Sequence, residues 1–289
     1  MIKLQTPVEF PQSRVSVSLS NRIMILGSCF ADSVGTLMKE AGMNVCLNPF
    51  GTLYNPQSIL SSIRRLSSAE HFSESDCVQL GAGADLVCSF SHHTSFARPD
   101  AREFLSVANT ALDEAAAFWK SCDRVLVTLG TAYCWKRADS GEVVSNCLKR
   151  PAAEFVRERL GCAEVSRCIE GMLELGEGKE FIFTVSPIRH LSGGAHANQL
   201  SKSTLLLALE DVLQRNAARA DYFPSYEILL DELRDYRFYA EDMTHPSPQA
   251  VRWVWERFCD FAVPASERER LAANERVFRS AQHRKILHG

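Results

Sequence analysis

A three-layer α/β/α sandwich around a mostly parallel central sheet is the fold class that this 289-residue sequence predicts, and three observations carry it. Short aliphatic runs alternate with longer amphipathic stretches, the order expected of parallel strands joined by helical crossovers. The runs stop at strong punctuation, Gly27-Ser28, Asn48-Pro49, Gly130-Thr131 and Ser186-Pro187, where buried strands give way to tight turns. Apolar residues make up 46% of the chain and charged residues 23%, proportions that support one large core.

The elements follow in order. Residues 1–21 lead in, and alternation at Val15, Val17 and Leu19 predicts an edge strand. Strand 22–26 precedes helix 31–42, whose apolar face holds Val34, Leu37, Met38 and Ala41. Strand 43–47 feeds an Asn-Pro-Phe-Gly loop, and helix 56–66 packs through Ile59, Leu60, Ile63 and Leu66. Residues 72–95 read as an inserted hairpin turning at Gly81 and Gly83. Helix 101–120 leads to strand 124–129, then a second hairpin at 132–150 turns near Asp139-Ser140-Gly141. Residues 152–175 read as helical, 181–185 as the fourth strand, and 198–217 as a long helix packed through Leu205, Leu206, Leu209 and Leu213. A short fifth strand with its exit spans 222–230, followed by helix 249–261 and a charged helix at 265–284. The expected organisation is one domain over 1–289, with insertions at 72–95 and 132–150 and a C-terminal surface helix at 265–289.

Charge and cysteines narrow the function classes. A net charge of −3 leaves no basic footprint for nucleic acid or an acidic membrane surface. The ten cysteines include no Cys-x-x-Cys pair and no His-x-x-x-His accompanies them, so neither a disulfide framework nor a metal site is expected. Cys46 and Cys259 stand in apolar contexts where a thiol behaves as a small hydrophobe. With no secretory leader and no long apolar run, the expectation is a reduced, cytoplasmic protein without cofactor or metal.

Two motifs carry chemistry. Gly27-Ser28-Cys29-Phe30-Ala31 follows the run Ile23-Met24-Ile25-Leu26, so Ser28 stands where a first strand ends and a helix begins. A serine there is either a plain helix N-cap or a nucleophile aimed into the crevice above the sheet. Near the other end, Asp242-Met243-Thr244-His245 precedes Pro246-Ser247-Pro248, where Ser247 caps and Pro248 opens a helix. An Asp-x-x-His turn lets the carboxylate hold its own imidazole in one orientation, the base-and-orienter half of a serine triad. The pair together makes Ser28, Asp242 and His245 the candidate catalytic residues.

These motifs, with Asn48-Pro49-Phe50-Gly51-Thr52-Leu53-Tyr54-Asn55-Pro56, Leu129-Gly130-Thr131-Ala132, Ser186-Pro187-Ile188-Arg189-His190 and Ser201-Lys202, resemble the GSCFA family over about residues 23–254. The chain is more distantly similar to the SGNH (GDSL-type) hydrolases. The resemblance implies a flavodoxin-like, SGNH-type sandwich and a serine nucleophile at Ser28, oriented by Asp242 through His245. It departs from SGNH enzymes at Gly130-Thr131, where they carry a Gly-x-Asn oxyanion donor, and from the family at Leu148, where a histidine is common. No catalytic role is therefore assigned around Leu148.

Oxyanion donors are sought instead among the amides of Ser28 and Gly51, with Thr131 or Asn55. For Gly51 the plain alternative is a turn glycine, for Asn55 an Asx turn before Pro56, and for Thr131 a helix cap. His92 and His93 are either substrate contacts or hairpin-closing residues. Arg189 either pins an anionic group or braces a loop. Lys202 reads as a solvated charge. Cys29 is a rival nucleophile, expected to point away from Ser28 into packing. The function these residues point to is a serine esterase acting on O-acetyl or other small O-acyl esters of a small molecule or glycan. An O-acyltransferase with the same triad stands as an alternative, as does a non-catalytic carbohydrate- or nucleotide-binding domain.

Overall fold

The computed structural model describes residues 5–81, 83 and 85–288, with side chains through residue 281. In chain order its strands and helices are β1 (Arg22–Gly27), α1 (Cys29–Glu40), β2 (Asn44–Leu47), α2 (Pro56–Ser68), β3 (Val78–Gln79), β4 (Val87–Cys88), α3 (Ala101–Ser121), β5 (Arg124–Leu129), β6 (Tyr133–Arg137), β7 (Val143–Val144), β8 (Phe155–Arg159), α4 (Cys162–Leu175), β9 (Glu180–Val185), α5 (Gly194–Asn216), β10 (Ala220–Tyr222), α6 (Ser225–Glu227), α7 (Pro248–Ala262) and α8 (Ala265–His288). A π-helical turn, Ile228–Leu233, continues α6.

Five strands form the central sheet in the order β10-β9-β5-β1-β2, every pair parallel. Chain order reverses at β1, which lies between β2 and β5, so the sheet has a topological switch point at the carboxyl end of β1. The period-2 alternation of β1 sorts its side chains into two layers. Met24 and Leu26 join Val125, Val127, Phe181 and Phe183 in one buried layer, with residues of α2, α3, α4 and α5. Ile23 and Ile25 face the opposite layer with Leu126 and Ile182, covered by α1, α7 and Leu271 of α8. The sandwich therefore forms because both faces of each central strand are apolar. Burying each large aliphatic or aromatic side chain in such layers contributes about 1.5–3 kcal/mol.

Four helix starts are capped by side chains: Ser28, Asn55, Asp100 and Ser247 each accept a backbone N–H of the first turn. The expected hairpin over 72–95 contains the antiparallel pair β3–β4. The second extension is larger than expected. Residues Phe155–Arg159, read from sequence as helical, form β8 against β6, giving a three-stranded antiparallel sheet in the order β7-β6-β8. The leading segment is not an edge strand. Ser13 and Val17 donate backbone N–H groups to Phe261 and Ala262 at 2.8 and 2.9 Å, so this stretch runs along the end of α7 with Val15 and Val17 buried. The fifth strand lies at Ala220–Tyr222, and most of the expected 222–230 is helical.

Gly27 shows how closely the strands meet at the switch point. Its φ is +148°, and a Cβ there would lie 2.3 Å from the carbonyl oxygen of Thr128 on β5. Gly27→Ala is expected to destabilise the fold by about 3 kcal/mol or more, from backbone strain and overpacking together. Urea unfolding would register this as a lower midpoint with an unchanged slope.

Candidate active site

Ser28 is carried by the turn between β1 and α1 and is fully buried. Its Oγ accepts the Phe30 N–H at 3.3 Å, a long capping bond, and donates to Ser186 Oγ at 3.1 Å. Ser186, at the end of β9, in turn accepts the Ile188 N–H at 3.2 Å. Asn48 fastens the same corner: its side chain accepts the Gly27 N–H at 2.8 Å and donates to Asp32 Oδ1 at 2.7 Å.

The Asp-x-x-His segment is a closed turn. Ala240 donates its N–H to His245 O at 2.8 Å, Tyr239 bridges to Pro246, and Met243 takes a left-handed φ of +55°. Inside it Asp242 Oδ1 accepts the N–H groups of Thr244 and His245, each at 2.9 Å, while Oδ2 faces His245 Nδ1 at 2.6 Å. These bonds, the two from His245 foremost, hold the Asp242 carboxyl down at about 2. With Nδ1 turned to the carboxylate, the second ring nitrogen of His245 is the one left to take a proton.

The loop after β9 joins the two halves. Arg189 donates its N–H to Thr244 O at 3.1 Å and its Nη1 to Met243 O at 3.0 Å, with the guanidinium 5.5 Å over the Tyr239 ring. One loop thus touches Ser28 through Ser186 and the Asp242–His245 turn through Arg189. Ser28 and His245 themselves are not hydrogen-bonded; the serine hydroxyl is turned toward Ser186.

Several expected site residues have other work. The Gly51 N–H donates to Asn48 O at 2.8 Å, and His93 packs on the face where a Gly51 side chain would stand. Asn55 caps α2, accepting from Ser58 N and donating to Ser58 Oγ, both at 2.9 Å. The Thr131 N–H donates to Tyr54 O at 2.9 Å, and its hydroxyl pairs with Ser201 Oγ at 2.9 Å. His92 is a core histidine rather than a substrate contact: it is ringed by Phe50, Phe72, Phe96 and Phe104 and paired with Ser89 Oγ at 2.6 Å. Burial pushes its pKa down to about 4. His93 is exposed and caps the turn at Thr94–Phe96 through Nδ1. Arg189 braces the Asp-x-x-His turn. The Cys29 thiol meets the Tyr54 hydroxyl at 3.2 Å rather than purely apolar neighbours, and Leu148 is fully buried in the larger core.

The sequence reading missed Lys202. It is entirely buried, and Nζ donates to Gly130 O and Ser186 O, both at 2.6 Å, tying the ends of β5 and β9 together. Its position in α5 carried the signal: Asn198, Ser201, Lys202, Leu205 and Leu209 form one helical stripe, and all are buried. His190 was also passed over. Its N–H donates to Asn198 Oδ1 at 2.9 Å, and its ring edge meets Tyr54, centroids 5.9 Å apart.

The GSCFA family matches residues 22–258, the whole span from β1 into α7. The chain belongs to this family. No curated protein matches it by sequence. Among solved structures, this GSCFA protein is similar to an acetyl xylan esterase from the rumen bacterium Butyrivibrio proteoclasticus, at 12% identity and a TM-score of 0.40. That likeness covers 86% of this chain and 64% of the esterase, so the chain spans less than two thirds of the esterase's length. None of the described helices is long and apolar enough to cross a membrane.

Burial lowers the pKa of Lys202 from 10.5 to about 7. Between those values the unfolded chain holds a proton on this amine that the folded chain lacks, so its contribution to stability rises with pH. Buried thiols and tyrosines pull the other way, and comparison with Lys202→Met isolates the lysine. The variant is expected to lose progressively more stability relative to wild type as pH rises from about 7 toward 10, in urea titrations at stepped pH.

Proposed function

We propose that this protein is a serine hydrolase that cleaves a small O-acyl ester, O-acetyl foremost, through an acyl-enzyme on Ser28. The observation that carries this reading is the Asp242–His245 pair, closed at 2.6 Å and tied by the 186–190 loop to the strand end that carries Ser28. The serine follows the strand at the switch point of a parallel sheet, where open α/β folds bind their ligands.

In this mechanism the Ser28 side chain turns from Ser186 toward the imidazole. Oγ attacks the ester carbonyl carbon while His245 Nε2 takes the hydroxyl proton. Asp242 keeps Nδ1–H engaged and stabilises the imidazolium. His245 then returns the proton to the leaving alcohol as the acyl-enzyme forms. Water attacks the acyl carbon by the same route in reverse, releasing the acid and restoring Ser28. A small acyl group is supported by crowding: a single Cβ added at Gly130 would meet Tyr54 O at 2.9 Å, His190 Nε2 at 3.3 Å and Ser28 Cβ at 3.4 Å. The alcohol portion is a small molecule or a glycan, and no cofactor takes part. Transfer of the acyl group to another hydroxyl follows the same steps with a different acceptor, and product formation with added sugar alcohols separates it from hydrolysis.

Fluorophosphonate labelling and hydrolysis of p-nitrophenyl acetate test the assignment. Ser28→Ala should abolish labelling, and His245→Ala or Asp242→Asn should lower kcat by roughly 10⁴-fold or more. Equal labelling of wild type and Ser28→Ala would remove Ser28 as nucleophile. Unlabelled wild type that nevertheless binds glycans would favour a non-catalytic domain.

The pH profile is a separate check. A carboxyl held at about 2 is ionised throughout the working range, so Asp242 contributes no limb. The rate is expected to rise along one acid limb, that of the imidazole, as it loses its proton and becomes a base. Two acid limbs in kcat/KM would contradict the assignment.

A further inference from the structure

The oxyanion formed in this reaction needs a donor, and the groups expected to supply it are occupied. The N–H groups of Ser28, Gly51 and Thr131 donate to main-chain carbonyls at 3.3, 2.8 and 2.9 Å. The Asn55 amide is turned to Ser58. Five buried side-chain atoms among the described residues have no hydrogen-bond partner, on Arg22, Ser67, His92, His190 and Arg257, and of these Nε2 of His190 is the one beside Gly130 and Ser28.

Its position is set from three sides. The His190 main chain is held by Asn198, its ring edge rests on Tyr54, and Nε2 overlooks Gly130. A Cβ placed on Gly130 would lie 2.9 Å from Tyr54 O, 3.3 Å from Nε2 and 3.4 Å from Ser28 Cβ, so the nitrogen and the nucleophile wall the same small space, with the Tyr54 carbonyl on its third side. A glycine between them keeps that space free of side chain.

Building on the serine-hydrolase reading above, we infer that His190 Nε2–H is the side-chain donor to the oxyanion, in the role that the middle-strand asparagine fills in the SGNH hydrolases this chain resembles. As Ser28 Oγ bonds to the carbonyl carbon, the C=O π pair moves onto oxygen and that oxygen accepts from Nε2–H. The proton stays on His190 throughout; proton transfer belongs to His245. Burial, with the nearby charges of Lys202, His245 and Arg157, pushes the His190 pKa down to about 3. The ring is therefore neutral at working pH, a state in which imidazole donates a hydrogen bond and is a poor base.

The test compares wild type, His190→Phe and His190→Gln with p-nitrophenyl acetate, alongside fluorophosphonate labelling and thermal unfolding. Phenylalanine keeps the ring and removes the donor, and glutamine offers an amide N–H at similar reach. His190→Phe should unfold near the wild-type temperature yet lose about 10²–10³-fold in kcat, with KM shifted far less. His190→Gln should recover part of that loss, and both variants should keep the wild-type acid limb. A His190→Phe enzyme with wild-type kcat/KM overturns the proposal and leaves the serine-hydrolase reading standing. Disappearance of the acid limb in His190→Gln would make His190 the base and likewise overturn it. A wild-type protein that neither turns over ester nor takes the probe removes both.

Discussion

Where β1 meets β5 the two backbones approach so closely that no side chain fits between them. A Cβ on Gly27 would strike Thr128 O, and the next residue, Ser28, bonds back to that carbonyl at 3.3 Å. The contact closes the sheet at its switch point and sends the chain sharply upward into α1. The serine is thereby delivered to the carboxyl edge with its hydroxyl turned to Ser186, and Asn48 holds the corner by bonding both Gly27 and Asp32. Every other part of the candidate site is arranged around that corner. Tyr54 O receives the amides of Gly130 and Thr131, and Lys202 pins the carbonyls of Gly130 and Ser186 from below.

The polar groups of this region differ in their access to water. Ser28, Ser186 and Lys202 are sealed from solvent, whereas the side chains of Asp242 and His245 are nearly half exposed. These three are tolerated because partners surround them: a neutral Lys202 amine has two N–H donors for its two carbonyls and so remains satisfied after losing its charge. Hydrogen bonds inside this region are strengthened by the low local dielectric. The carboxylate and imidazole, by contrast, rely on local geometry in a short turn, where three bonds to one aspartate fix the orientation despite the surrounding water.

Much of this was legible in the sequence because it rests on local rules. Strand and helix order followed from aliphatic runs and turn residues, and β5 was read to the residue. Ser28, Asp242 and His245 stood out because their spacing within the chain has a mechanical meaning. What escaped depended on partners distant in sequence. The strand Phe155–Arg159 is short, with three of its five residues charged, and only pairing with β6 gives it strand character. Val15 and Val17 alternate as a strand would, yet it is α7 that takes their backbone bonds. Lys202 looked like a solvated charge because residue type outweighed its place in the stripe with Leu205 and Leu209. Gly51, Asn55 and Thr131 were reasonable donors by type, but their hydrogen bonds turn inward, which only the folded chain reveals.

The Asp242–His245 turn carries its own geometry. Both residues lie within four consecutive positions, the turn is closed by its own backbone bonds, and it meets the 186–190 loop through Arg189. A shift of this turn over the sheet would therefore carry acid and imidazole as one rigid tooth, keeping the ring's tautomer while changing its reach to the serine. Under the proposed mechanism, proton acceptance by His245 and its engagement with Ser28 are thus mechanically separable in this fold. The reach of His245 depends on the seating of a single loop, and the orientation of its ring by Asp242 does not.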